Sequence, residues 1–230
     1  MFSAIFSLEG IMFVMRWLHF FFGVMWIGHL YYFNFVQGSF FNETDAATKS
    51  NAIQKLVPRA LWWFRWGAFW TLATGLVIIG YKGHQLGGEF LNTSYGLNIL
   101  TGAWFGILMA ANVWFVIWPN QKVVIQSATQ VAGGGQAIAT AAASASKAAL
   151  ASRTNTLFSI PMLFFMGAAS HLQYQVTQPM VYLSAMLVVS IGLELNGLKG
   201  KMGPMTTVKG VITSGFVLAA IMVVIGAITQ

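Results

Sequence analysis

Long apolar runs separated by short polar segments are the main pattern along the chain. A helix needs roughly 20 mostly apolar residues to cross a bilayer, and six runs approach that length. They lie at about residues 11–36, 61–81, 97–118, 155–174, 180–195 and 211–229. No segment shows the alternating ten-residue strands of a membrane barrel. The pattern predicts an all-α integral membrane protein, with residues 1–230 forming one bundle of about six transmembrane helices.

The composition supports this class. Of the 230 residues, 57% are hydrophobic and only 7% are charged, whereas a soluble domain is usually about a quarter charged. The first run is long enough to be a retained span rather than a cleaved signal peptide. The net charge of +7 does not indicate a nucleic-acid partner, because the basic residues cluster in short segments between apolar runs.

These basic residues alternate between the two sides of the predicted membrane. The first, third and fifth connecting segments hold nine of them, while the second holds only Lys82. The nine are Lys49, Lys55, Arg59, Lys122, Lys147, Arg153, Lys199, Lys201 and Lys209. Since cytoplasmic loops carry an excess of Lys and Arg, we expect a multi-pass protein of a bacterial inner membrane with both termini in the periplasm.

The third connecting segment, residues 121–151, is rich in Ala, Gly and Ser. After the glycines at 133–135, residues 136–151 favour a helix by propensity. They contain too few large apolar side chains for a seventh span. We expect a cytoplasmic helix here, packed along the bundle or against a partner.

Polar side chains inside the first run indicate a surface that faces protein rather than lipid. Arg16, His19 and Gln37 share one helical stripe with Trp26 and Leu30. Ionisable groups inside a membrane span usually face the bundle interior and mark functional sites.

Three of the four histidines are predicted to lie at one depth, in the outer third of the membrane: His19, His84 and His171. Imidazole is a common ligand of metals and of haem iron. We therefore expect a haem b as cofactor, with its iron held by His19 and His171 and with His84 as the third candidate. The alternatives are an interfacial polar group at His84 and structural hydrogen bonds elsewhere. The sequence contains no cysteine, which excludes covalently attached c-type haem.

A second polar set is predicted for the cytoplasmic half: Asn34, Gln37, Arg65, Asn112, Arg153 and Asn155. Arg65 lies among tryptophans, which is typical of an aromatic belt with a snorkelling arginine or of a site for an anionic or planar ligand. His29 is about 15 Å from His19 along the helix and roughly 80° around it, so the two cannot bind the same ion. His29 either forms a hydrogen bond to another helix or pairs with Met162 in a haem site.

Three segments resemble the membrane domain of the bacterial membrane-bound urate oxidases, also called urate hydroxylases. They are MWIGHLYYFNFVQ (25–37), VPRALWWFRWGAFWTLATG (57–75) and SRTNTLFSIPMLFFMGAASH (152–171). The resemblance covers about residues 10–175. Members of that family are multi-helix proteins, usually fused to a C-terminal cytochrome c domain.

The resemblance implies oxidation of urate, with electrons passed to the respiratory chain rather than directly to oxygen. It also implies a site built from these motifs, in which we expect Arg65, Arg153, Asn155 and His29 to be catalytic. Further candidates in the motifs are Asn34, Gln37, Trp62, Trp63, Ser159 and His171. Urate is a planar anion, which suits a guanidinium with amide donors and aromatic faces, such as Arg65 with Trp62 or Trp66, or Arg153 with Asn155.

The sequence ends at Gln230 without a cytochrome c motif. We therefore expect a separate cytochrome c or another respiratory subunit as partner, besides membrane lipid and a second copy of the chain. One alternative interpretation is a non-catalytic accessory subunit of a larger respiratory-type complex. Another is a transporter for a small anion, which the absence of an internal sequence repeat disfavours.

Overall fold

The computed structural model describes residues 2–229, and helices account for nearly all of them. In that range there is no β-strand, only an isolated antiparallel bridge between Thr93 and Gln175. The α-helices are α1 (Phe2–Ile5), α2 (Leu8–Tyr31), α3 (Gly38–Glu43), α4 (Ala46–Lys55), α5 (Val57–Leu86), α6 (Ser94–Ala111), α7 (Trp118–Ala132), α8 (Ala141–His171), α9 (Pro179–Lys199) and α10 (Val208–Ile228). The expected all-α class is confirmed.

Two six-residue π-helical segments join pairs of these helices into continuous rods. Tyr32–Gln37 connects α2 to α3, and Asn112–Ile117 connects α6 to α7. π-helical geometry accounts for well under 1% of residues in globular proteins, and it occurs frequently at functional sites. Both segments contain residues of the predicted second polar set.

Within residues 2–229, four helical rods are long and apolar enough to cross a membrane. They are Leu8–Glu43, Ser94–Ala132, Pro179–Lys199 and Val208–Ile228. This supports the predicted membrane protein but not the count of six spans. The other two predicted spans fall in α5 and α8, which have 30 and 31 residues but contain more polar positions along their length.

Pairs of antiparallel helices form the body of the bundle. α2 packs along α5, and α6 packs along α8, which α10 also contacts. The α2–α5 pair comes close at Gly67, where an added Cβ would lie 3.0 Å from the backbone nitrogen of Trp26. Small residues allow this backbone approach between membrane helices. The interior is filled by large side chains, including the fully buried Phe64, Phe105 and Phe158.

The small-residue segment forms part of a helical hairpin. α7 ends before a turn at residues 133–140, where Gly134 has a φ of +85°, a conformation that glycine adopts readily. α8 then begins at Ala141 and continues unbroken to His171. The helix expected over residues 136–151 is thus the beginning of α8 rather than a separate element.

The first connecting segment contains α4, whose N-terminus is capped by Asp45. The Asp45 carboxylate accepts hydrogen bonds from the backbone N–H groups of Ala47 and Thr48, each at 2.9 Å, and from the Thr48 hydroxyl at 2.6 Å. These bonds, chiefly that of the Thr48 hydroxyl, lower the pKa of Asp45 below its usual value. The cap is therefore strongest when the carboxyl group is ionised.

Candidate functional site

A cavity of about 780 Å³ lies between α2, α5, α6 and α8. This volume is in the range of roughly 300–1,000 Å³ that is typical of small-molecule and cofactor sites. Its walls are mainly apolar, and the polar residues that line it include Arg16, His19, Lys82 and Tyr95. We call this space the His19 cavity.

His19 is held in a fixed orientation by α5. Its Nδ1 lies 2.9 Å from the carbonyl oxygen of Thr71 and 3.2 Å from the hydroxyl oxygen of Thr74. Gly75 makes room for the ring, because a Cβ there would lie 2.9 Å from His19 Cε1. When Nδ1–H donates to the carbonyl, the neutral ring presents its lone pair at Nε2. No described residue forms a hydrogen bond with Nε2.

The residues of the His19 cavity are compatible with a haem, whose iron His19 would hold. Metal-binding histidines usually donate their second ring N–H to a carbonyl or carboxylate, which is the arrangement of His19. Arg16 and Lys82 would supply positive charge for the acidic substituents of such a group, and Met162 and Met166 bring thioether groups to the wall. Among residues 2–229 there is no cluster of three His, Asp or Glu side chains that could hold a metal ion.

His84 and His171 do not line this cavity. Both side chains are exposed, and His171 Nδ1 lies 2.9 Å from the carbonyl oxygen of Gly167 in its own helix. The structure therefore does not bring together the three imidazoles that were placed at one depth, and His171 is not paired with His19. Depth along a helix does not determine which way a side chain points around the helix axis.

His29 lies in a different place, a shallow groove of about 520 Å³ between α2 and the start of α5. Tyr32, Arg59 and Trp63 also line this groove. His29 Nδ1 lies 2.7 Å from the carbonyl oxygen of Met25, so its hydrogen bond is within its own helix rather than to another one. Met162 belongs to the His19 cavity and not to this groove.

Asn34 ties the first π-helical segment to α8. Its side-chain amide donates to the hydroxyl of Ser152 at 2.8 Å and to the carbonyl of Leu30 at 2.8 Å. Tyr31, the last residue of α2, makes a second connection to α8, with 2.9 Å between its hydroxyl and that of Ser159. These predicted site residues, Asn34 and Ser159, hold the rod of α2 against α8.

The second π-helical segment has an equivalent link through Asn112. Its amide donates to Asn155 Oδ1 at 2.9 Å and to Glu194 Oε2 at 3.0 Å. Asn155 in turn donates to the carbonyl of Met109 at 2.9 Å. Both polar groups of Asn155 are thus engaged within the protein. Sequence reasoning missed Glu194, whose signal was its position as an acidic residue at the end of an apolar run.

Arg65 contacts tryptophans of another helical rod. Its guanidinium carbon lies 3.9 Å from the centre of the Trp118 ring and 5.2 Å from that of Trp114. The sequence instead suggested Trp62 or Trp66, which are close in the chain. No spacing rule could identify Trp114 and Trp118, because they lie about 50 residues further along.

Several polar atoms in the half of the bundle that contains Arg65 are buried without a hydrogen-bond partner among the described residues. They are Nε and Nη1 of Arg65, Nε1 of Trp114, Nη1 of Arg153 and Oε1 of Gln37. Buried polar groups are nearly always paired. This end of the bundle therefore has unused capacity for hydrogen bonding.

A family model described as urate oxidase N-terminal matches residues 88–227. The match covers more than half of the 230 residues. The chain belongs to the urate oxidase N-terminal family. This confirms the relationship indicated by the three motifs. Neither the search of curated proteins nor that of solved structures found a match.

The region matched by the urate oxidase N-terminal family extends from just before α6 into α10. It includes Arg153, Asn155 and His171, and it reaches beyond residue 175, where the motif resemblance ends. His19 and Arg65 lie outside it, on α2 and α5. Arg65 is supported by the structure and by the motif at residues 57–75, and His19 by the structure alone.

Proposed function

We propose that the chain is a membrane-bound, urate oxidase-like oxidoreductase that contains a haem b held by His19. It would pass electrons to a separate cytochrome c or another respiratory subunit. The observation that carries the proposal is the orientation of His19, whose Nδ1 lies 2.9 Å from the carbonyl of Thr71 and whose ring borders a cavity of about 780 Å³. Membership of the family supports urate or a similar purine as the substrate.

The reaction requires an electron acceptor. Hydroxylation of urate with water as the oxygen source releases two electrons and two protons. Haem, when bound, supplies a one-electron carrier. His19 would hold the iron, Arg16 and Lys82 would neutralise the acidic substituents, and the apolar walls would exclude water.

The proposal also gives a role to each of the four residues predicted to be catalytic, and each role follows from the contacts of that residue. Arg65 and Arg153 would neutralise the substrate anion. His29 would serve as a base, because its Nδ1 is occupied by a carbonyl and Nε2 is left to accept a proton. Asn155 would act as a positioning residue through its bond to Asn112.

The proposed topology has six spans in a bacterial inner membrane, with both termini in the periplasm. The alternation of basic residues supports this orientation. The lengths of α5 and α8 support their inclusion as spans. The cytochrome partner would then dock at the end of the bundle that contains His19.

Absorbance of the purified protein tests the proposal. We expect a Soret band, a pyridine haemochrome of haem b, about one haem per chain and reduction of that haem by urate without oxygen. His19→Ala should lower the haem content strongly, whereas His171→Ala and His84→Ala are matched controls that should retain it. A folded but colourless protein would refute the proposal and favour the accessory-subunit interpretation. Haem that urate does not reduce would refute the substrate only.

A further inference from the structure

Three buried N–H donors lie beside the second π-helical segment without an acceptor. They are Nε and Nη1 of Arg65 and Nε1 of Trp114. The guanidinium carbon is 5.2 Å from the Trp114 ring centre, so all three donors belong to one contact between α5 and the rod of α6 and α7. A buried donor without a partner is unfavourable, and more so when it carries charge.

The third nitrogen of the Arg65 guanidinium, Nη2, is the one that an incoming group can reach. Nη2 forms no hydrogen bond with a described residue, yet unlike Nε and Nη1 it is not fully buried. Two edges of the guanidinium include Nη2, one with Nε and the other with Nη1. Each of them offers two neighbouring N–H groups to an incoming acceptor. Such paired donors match carboxylate, phosphate and similar planar anionic groups.

A water molecule alone does not meet the needs of this contact. Its oxygen accepts only about two hydrogen bonds and brings no negative charge to the guanidinium. The unpaired atoms of Arg65 and Trp114 are all donors, so the matching partner is a group that accepts several hydrogen bonds and carries negative charge.

We propose that Arg65, Trp114 and Trp118 form a binding site for an anion with at least two adjacent acceptor atoms. The anion accepts hydrogen bonds from the guanidinium and from the Trp114 indole. Trp118, with its ring centre 3.9 Å from the guanidinium carbon, covers one face of the cation and limits its exposure to water. Trp114 sits on the π-helical segment Asn112–Ile117, which fits the frequent occurrence of such segments at functional sites.

Two sources could supply this chemistry. One is the phosphate of a phospholipid headgroup, since Arg65 lies near the start of α5. The other is a soluble planar anion such as urate, an identification that rests on the proposed function. Arg65, Trp114 and Trp118 do not line the His19 cavity, so anion binding and haem binding can be tested separately.

Binding to the purified protein in detergent tests the site. Native mass spectrometry would detect a retained phospholipid, and equilibrium dialysis of delipidated protein with radiolabelled urate would detect the soluble anion. We expect about one anion per chain in one of the two measurements. Arg65→Gln should weaken binding about tenfold or more, as expected for loss of a charge-assisted bond.

Trp114→Phe provides a second variant that keeps the aromatic packing and removes one N–H donor. We expect it to weaken binding severalfold, while Trp70→Phe, an exposed tryptophan of α5, should bind like the unchanged protein. Retained phospholipid assigns the site to lipid, and bound urate assigns it to substrate. The proposal is overturned if neither anion binds, or if Arg65→Gln and Trp114→Phe both bind normally. His19→Ala should lose haem and keep anion binding, which separates this outcome from failure of the proposed function.

Discussion

The crossing of α2 and α5 depends on the absence of a side chain at Gly67. A Cβ at this position would lie 3.0 Å from the backbone nitrogen of Trp26 and 3.2 Å from its Cα. Trp26 is only 1% exposed, and backbone atoms in the middle of a helix cannot rotate away as the end of a side chain can. Gly67→Ala should therefore push the two helices apart.

Two opposing terms determine the size of this effect. Inserting a methyl group into a well-packed interior typically costs about 1–3 kcal/mol, while replacing a helical glycine with alanine contributes up to about 1 kcal/mol of helix propensity. At Gly80 of the same helix, an added Cβ would meet nothing within 4 Å, so Gly80→Ala should keep the propensity gain without the clash. The free energies of unfolding of the two variants should differ by about 1–3 kcal/mol.

Unfolding in mixed micelles with increasing SDS, followed by circular dichroism, measures this difference. We expect Gly67→Ala to unfold at a lower SDS fraction than the unchanged protein, and Gly80→Ala at an equal or higher one. If the two alanine variants unfold at the same SDS fraction, whether or not it differs from that of the unchanged protein, the close approach of α2 and α5 is not as described.

Three further predictions concern single contacts. Gly75→Ala places a Cβ 2.9 Å from Cε1 of His19 and should lower the haem content. Gly83→Ala, where an added Cβ has free space, should not. Equal haem absorbance per chain in the two variants would contradict this prediction. Asn112→Ala leaves acceptors on α8 and α9 without their donor and should destabilise the fold by about 1–3 kcal/mol in the SDS assay; an unchanged midpoint would contradict it. The folded pKa of Asp45 lies below its ordinary value of 3.8, so its cap contributes fully above that pH and is lost as the pH falls through the folded pKa. Hydrogen exchange of α4 should rise in that acidic range, and Asp45→Asn should abolish the pH dependence.

The sequence predicted the helical class and the centres of the helices well, but it did not predict where the helices end. Hydropathy identifies only the apolar part of a helix, whereas backbone hydrogen bonds continue wherever the local sequence permits helix. α8 shows this, because its first eleven residues are mostly Ala and Ser, which are not apolar enough to count as a span, while Ala is the strongest helix former. The two π-helical segments have no recognisable sequence signature.

The sequence identified candidate residues, but it did not identify which of them lie close together in the fold. All six residues of the second polar set are buried or half-buried, as is usual for polar side chains in apolar runs, which face protein. Their contacts depend on rotation about each helix axis, which small errors in helix phase obscure. The histidines illustrate this, since a shared predicted depth did not bring His84 or His171 to the His19 cavity.

α5 carries both proposed sites, and this allows them to be separated by experiment. Arg65 faces the rod of α6 and α7, Thr71 holds His19, and Gly67 lies between them in the chain. A change at Arg65 should affect anion binding alone, and a change at His19 should affect haem alone. Gly67→Ala moves the helix that carries both, so it should weaken both together. Independent losses in the first two variants and a joint loss in the third, in protein that circular dichroism shows to be folded, are the result expected if one helix positions two distinct sites.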